Sequence, residues 1–170
     1  MKNVILLVAS EEEKKSLIPS EYYNNVFITG IGLINVIKTL KNLNLDEKKV
    51  IINIGYAGSS SDINIGSICS ITESLCYRNI YNKKDNIKMN YIKTKNIINL
   101  PCSTSIDFVI NAKEKKMVYD MELRGILEFF PNTYSIKIIS DNGNMNDYDN
   151  FFKNNYKKEI KEIIEKNFNV

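Results

Sequence analysis

Apolar residues in this chain fall into short solid runs separated by stretches of helical spacing. Residues 4–9 form a continuous apolar run that reads as a strand, and residues 26–29 form a second, ended at Gly30. From Leu33 the spacing changes, with Leu33, Val36, Ile37, Leu40 and Leu43 on one helical stripe. Residues 50–54 are again solidly apolar, and 55–61 read as a small-residue loop after that strand. Residues 67–72 and 96–100 are shorter strand candidates. Residues 75–95 are polar and rich in Lys and Asn, a surface excursion with a weak strand at 88–92. Tyr119, Leu123, Ile126, Leu127 and Phe130 mark an amphipathic helix ended near Pro131, residues 134–139 mark another strand, and a last helix runs from about Asp149 with Phe152, Tyr156, Ile160, Ile163 and Ile164 inward. Strands alternating with helices predict an α/β sandwich, and runs apolar on both faces predict a sheet covered by helices on both sides.

At 170 residues the chain suits one domain over residues 1–170. Its composition, 44% hydrophobic and 25% charged, is that of an ordered soluble protein. The net charge of +3 is mild and the lysines are scattered, with Lys157, Lys158, Lys161 and Lys166 on the solvated face of the last helix, so no nucleic-acid partner is indicated. The opening apolar run is short and followed at once by three glutamates, which fits a buried first strand better than a signal peptide. No stretch is long enough for a membrane span, and a cytoplasmic protein is expected. Cys69, Cys76 and Cys102 are an odd set without a CxxC pair and read as buried free thiols. With no histidine and no clustered cysteines, a zinc site is nearly excluded. Neither a metal nor an organic cofactor is expected.

The absence of histidine leaves proton transfer near neutral pH to carboxylates. Three of them stand at unusual places: Glu13 just after the first strand, Glu122 on the buried stripe of the third helix, and Asp141 just after the strand at 134–139. Two of them also have an ordinary reading. Glu11, Glu12 and Glu13 suit the first turn of a helix, where they offset its positive end. Asp141 suits a turn or a cap. A buried Glu122, in contrast, requires a partner or a task. The two glycine-rich turns, Thr29-Gly30-Ile31-Gly32 and 55–61, lack the further residues of a dinucleotide fingerprint or a P-loop, and would bring backbone close to a small ligand. Phe108 could stack on a base or pack in the core.

Six segments, in order, resemble the nucleoside phosphorylase superfamily, and most closely its 5′-methylthioadenosine/S-adenosylhomocysteine nucleosidase branch, in a shortened form. They are Val8-Ala9-Ser10-Glu11-Glu12-Glu13, Thr29-Gly30-Ile31-Gly32, Ile52-Asn53-Ile54-Gly55-Tyr56-Ala57-Gly58, Asp62-Ile63-Asn64-Ile65-Gly66-Ser67, Val118-Tyr119-Asp120-Met121-Glu122 and Ile138-Ile139-Ser140-Asp141. The resemblance implies a three-layer sandwich with a mixed central sheet flanked by helices. It implies hydrolysis of the bond between a purine and a ribose, with Glu13 activating water, Glu122 binding the ribose hydroxyls and Asp141 donating a proton to the leaving purine. It also implies that Phe108 stacks on the base, Val109 contacts it through backbone, Met121 packs on the sugar and Phe151 covers the 5′ substituent. Lys137 stands where the family has an arginine near the water, Tyr56 where it usually has a small residue, and Gly55 and Ser140 belong to the matched segments. The expected partner is a small purine nucleoside, and the expected assembly a homodimer. A phosphorylase of the same fold and a noncatalytic nucleoside-binding protein are the alternatives.

Overall fold

The computed structural model describes residues 3–43, 45, 48–76, 86–110, 114–151 and 155–168. The first strand, β1 (Val4–Val8), is buried along its whole length. Val4, Leu6 and Val8 belong to one apolar cluster while Ile5 and Leu7 belong to another, because a strand's side chains alternate between faces and both faces here are covered. Parallel neighbours flank it: β2 (Val26–Ile28), with Leu6 opposite Val26, and β3 (Val50–Ser59), with Val4 opposite Val50.

Beyond β3 the sheet is mixed and curls. β4 (Ile68–Cys76) runs antiparallel to β8 (Tyr134–Asp141), which in turn lies parallel to β3. On its other edge β4 is parallel to β6 (Ile98–Thr104), β6 is parallel to β7 (Val118–Asp120), and β7 returns antiparallel to the end of β3. The ladder β3–β7–β6–β4–β8 therefore closes on β3, and the two-residue β5 (Ile87–Lys88) hangs on β4. Closure brings the ends of β3, β7 and β8 together, and the acidic residues discussed below lie near those ends.

Helices cover both sides. α2 (Leu33–Asn42) and α3 (Leu123–Phe129) pack together over Ile5, Leu7 and Ile51, with Val36, Leu40 and Ile126 between them. They approach so closely that a Cβ on Gly125 would lie 2.9 Å from Leu33 Cδ1. α1 (Glu11–Leu17) and α5 (Lys157–Phe168) cover the opposite face with Leu17, Ile160 and Ile164, and α4 (Met145–Phe151) leads out of β8. The three layers of the sequence-based expectation are present.

Several local expectations require correction. Residues 55–59 belong to β3 rather than a loop, because β8 and β7 supply ladder partners to its end. Val118-Tyr119-Asp120 is a strand and the helix begins at Leu123; a three-residue strand is too short for its period to show beside the helical one. Ile37 is exposed rather than part of the buried stripe of α2. The C-terminal helix is two helices, α4 and α5, and the expected inward Phe152 lies outside the described residues. Cys69 and Cys102 are buried free thiols, and burial pushes the Cys69 thiol up to about 12.

Candidate active site

Glu13 is held by the ends of two strands. Ser10 caps α1 by accepting the Glu13 N–H at 3.2 Å, which fixes the first turn and directs the Glu13 side chain back over β1. Its Oε2 accepts the Ala9 N–H at 2.6 Å, and its Oε1 accepts the Tyr56 N–H of β3 at 2.8 Å. The carboxylate thus occupies the gap between neighbouring strands, with Gly55 beside it. Burial raises its pKa, opposed by the Lys137 charge and by the N–H groups of Tyr56, Ala9 and Ser10.

Glu122 stands at the junction of β7 and α3, with φ −123° and ψ −38°, and not on a buried helical stripe. Its Oε1 accepts the N–H of Gly32 at 2.7 Å, and its Oε2 the N–H of Met121 at 3.3 Å. Gly32 precedes α2 with φ +84°, a conformation that a residue with Cβ rarely adopts, and that turn is what aims its N–H at Glu122. Burial, then the charges of Asp120 and Glu13, push the Glu122 carboxyl up to about 7 against the pull of Lys137 and Gly32.

Asp141 ends β8. The β3–β8 register shifts here, from Ala57 opposite Ile139 to Gly58 opposite Asp141, so Ser140 is the extra residue of a bulge. Asp141 Oδ2 accepts from Ser140 Oγ at 2.8 Å and Oδ1 from the Gly143 N–H at 2.8 Å. Burial raises its pKa, and these two donors and the more distant Asp147 modulate it.

All three carboxylates line one cavity of about 300 Å³. Phe108 and Val109 form part of its wall, with the Phe108 ring edge-on to Tyr148 at 6.0 Å, and Met121 and Tyr56 also line it. Four other expected site residues stand behind that wall. Gly55 backs Glu13, and Ser140 is fully buried beside Ala57 O and Asp141. Lys137 is 1% exposed and reaches Asp120 Oδ2 at 3.0 Å. Burial alone would lower its pKa, yet Asp120, Glu122, Cys102 and Glu13 together hold it above the ordinary lysine value. Phe151, expected over a 5′ substituent, is instead core: it packs edge-on to Tyr56 at 5.5 Å and stacks on Tyr156 at 5.7 Å. From α4 it is Met145 and Tyr148, one turn apart, that line the cavity.

Sequence reasoning missed Asp120, Met145 and Tyr148 as site residues. Asp120 lines the cavity and is fully engaged, accepting from Thr104 Oγ1 at 2.8 Å, the Leu123 N–H at 2.9 Å and Lys137. The available signal was Lys137 itself: a lysine inside an otherwise apolar strand requires a buried counterion. Met145 and Tyr148 were hidden by starting the last helix at Asp149.

No family model and no curated protein matches the sequence. Solved structures do match the fold. An aspartate-to-asparagine variant of the Helicobacter pylori 5′-methylthioadenosine/S-adenosylhomocysteine nucleosidase, with 5′-methylthioadenosine in its active site, superposes with a TM-score of 0.73 at 16% identity over 96% of this chain and 98% of that one. A comparable variant from Chlamydia trachomatis bound to 5′-methylthioadenosine gives 0.71 at 20% identity over 98% and 95%. The Streptococcus pneumoniae nucleosidase with a transition-state inhibitor gives 0.70 at 14% identity over 92% and 95%. The chain has the fold of these nucleosidases. Among the described residues no helix is long and apolar enough to cross a membrane.

Proposed function

We propose that this chain, built on the nucleosidase fold, hydrolyses the N-glycosidic bond of 5′-modified adenosines of the methylthioadenosine/S-adenosylhomocysteine type. The observation that carries the reading is the convergence of Glu13, Glu122 and Asp141 on one cavity whose wall includes Phe108. Cleaving that bond sends its electron pair to the purine and leaves oxocarbenium character on the sugar, so the reaction needs an acid at the base and a base near the anomeric carbon. Asp141, kept protonated to higher pH by burial, donates its proton to the departing purine. Glu13 takes a proton from the water that bonds to the anomeric carbon. Glu122, anchored by Gly32, accepts from the ribose hydroxyls and steadies that water. Phe108 stacks on the purine, Val109 meets it through backbone, and Met121 packs on the sugar. Lys137 supports the acids from behind, and Ser140 holds Asp141.

Hydrolysis is favoured over phosphorolysis by the cavity wall, which carries Glu13, Asp107, Asp120, Glu122 and Asp141. A phosphate dianion would meet no lysine or arginine among the described residues that line this cavity. We also propose a cytoplasmic homodimer of single-domain chains, supported by exposed Ile31, Ile34 and Met145 around the cavity mouth and α2. A free-base and reducing-sugar assay across a nucleoside panel, with and without phosphate, tests the function. Equal release in both buffers supports the hydrolase, sugar phosphate formation means a phosphorylase, and binding without release means a noncatalytic protein.

A further inference from the structure

Asp141 follows a bulge, and a bulged strand end is the part of a sheet least constrained by its ladder. Something must fix where the carboxylate points. Its own donors, Ser140 Oγ and the Gly143 N–H, come from the same short segment, which is held to β3 by the Gly58–Asp141 pairing and by Ser140 Oγ donating to Ala57 O at 3.2 Å. Beyond the bulge a further tie comes from the next residue. The Asn142 side-chain nitrogen donates into a ring of three oxygens on the segment that leaves β3: Ser59 Oγ at 2.8 Å, Ser60 O at 3.0 Å and Ile63 O at 3.0 Å. Three acceptors around one amide nitrogen define its orientation, because the carbonyl end of the same amide would face two backbone carbonyls. That segment is itself braced, with Ser60 N–H donating to Met117 O at 2.9 Å, Ser60 Oγ to Asp62 at 2.6 Å, and Met117 N–H to Ser60 Oγ at 3.1 Å.

We propose that Asn142 is a positioning residue for the general acid: its amide locks the end of β8 to the loop after β3 and so fixes the aim of Asp141 into the cavity. This rests on the nucleosidase reading above. Close packing makes the aim demanding, since Asp141 Oδ1 lies 3.0 Å from where a Cβ on Gly58 would be. Without the clamp, the carboxyl keeps its chemistry but spends less time at the purine. A displacement of about 1 Å at such a site can cost on the order of a hundredfold in rate.

The test is a double-mutant cycle on 5′-methylthioadenosine. Asn142→Ala should lower kcat by about 10- to 100-fold and change KM by less than about threefold. In an Asp141→Asn background the same substitution should change kcat by less than about twofold, because there is no acid left to aim. If the alanine variant melts below the assay temperature, Asn142→Ser is used, with a smaller loss and the same disappearance expected. An equal fold-loss in both backgrounds, or no loss in the wild type, overturns the proposal while leaving the nucleosidase reading intact. A wild-type protein that releases no purine, or an Asp141→Asn variant with undiminished turnover, overturns that reading and this inference with it.

Discussion

A Cβ placed on Gly55 would lie 2.7 Å from Glu13 Oε1, so the carboxylate fills the space that any side chain on that residue of β3 would take. Glycine is required there by close approach and not by backbone conformation. Gly55→Ala must therefore push Glu13 out of its bonds to Ala9 and Tyr56. We predict a kcat loss of about a hundredfold or more with the fold retained, measured by steady-state kinetics beside circular dichroism. Unchanged kcat would mean that Glu13 need not occupy this position.

Lys137 and Asp120 form an ion pair in which both side chains are 1% exposed. Removing one partner leaves the other charged and buried, which costs about 3–5 kcal/mol. Lys137→Met should lower the stability by that amount in urea denaturation, and adding Asp120→Asn should restore part of it. A loss below about 1 kcal/mol would show that the pair is more hydrated than its burial implies.

Stability should fall as the pH rises from about 4.5 to about 7. The Glu122 carboxyl moves from an ordinary 4.5 up to about 7 on folding, so the folded chain binds that proton more tightly than the unfolded one. The resulting stabilisation is fully present below the unfolded value and is lost as pH rises through the folded one. Glu13 and Asp141 are raised too and act in the same direction. The urea midpoint should decline between about pH 4.5 and about pH 7, with a smaller decline in Glu122→Gln. An equal slope in both proteins would remove Glu122 as a cause.

Phe151 and Tyr148 should separate cleanly. Phe151 is 6% exposed and packs between Tyr56 and Tyr156, so Phe151→Ala should cost about 3–5 kcal/mol. Tyr148 lines the cavity against Phe108, so Tyr148→Ala should raise KM with a stability change below about 1 kcal/mol. Paired melting curves and KM values decide it; the opposite pattern would put Phe151 at the substrate.

The strand at residues 4–8 was legible in the sequence because both of its faces are buried and its apolar run is unbroken, whereas 26–28, half-buried, and 134–141, interrupted by Ser135 and Lys137, were legible from their shorter clusters of apolar residues. Glu13 and Asp141 were legible for a related reason: a carboxylate directly after a core strand stands out against it. Glu122 was singled out as buried, but on a helical stripe that is not there, since β7 is only three residues long. Asp120 stayed hidden because its partner Lys137 lies on a strand much further along the chain and the two meet only when the sheet curls. Phe151 was misjudged because ten residues after Asp141 includes a whole turn of α4, and helix phase decides which side chains face the cavity.

The central claim is that carboxylates on one cavity break a purine–ribose bond by acid and base catalysis. Adenine release from 5′-methylthioadenosine in phosphate-free buffer, followed for the wild type, Asp141→Asn, Glu13→Gln and Glu11→Gln, tests it most directly. Glu11 is exposed in the same turn as Glu13 and serves as the control. We predict release by the wild type, losses of about two to four orders of magnitude for Asp141→Asn and Glu13→Gln, and near-wild-type turnover for Glu11→Gln. No release by the wild type, or turnover by Asp141→Asn equal to it, would contradict the account.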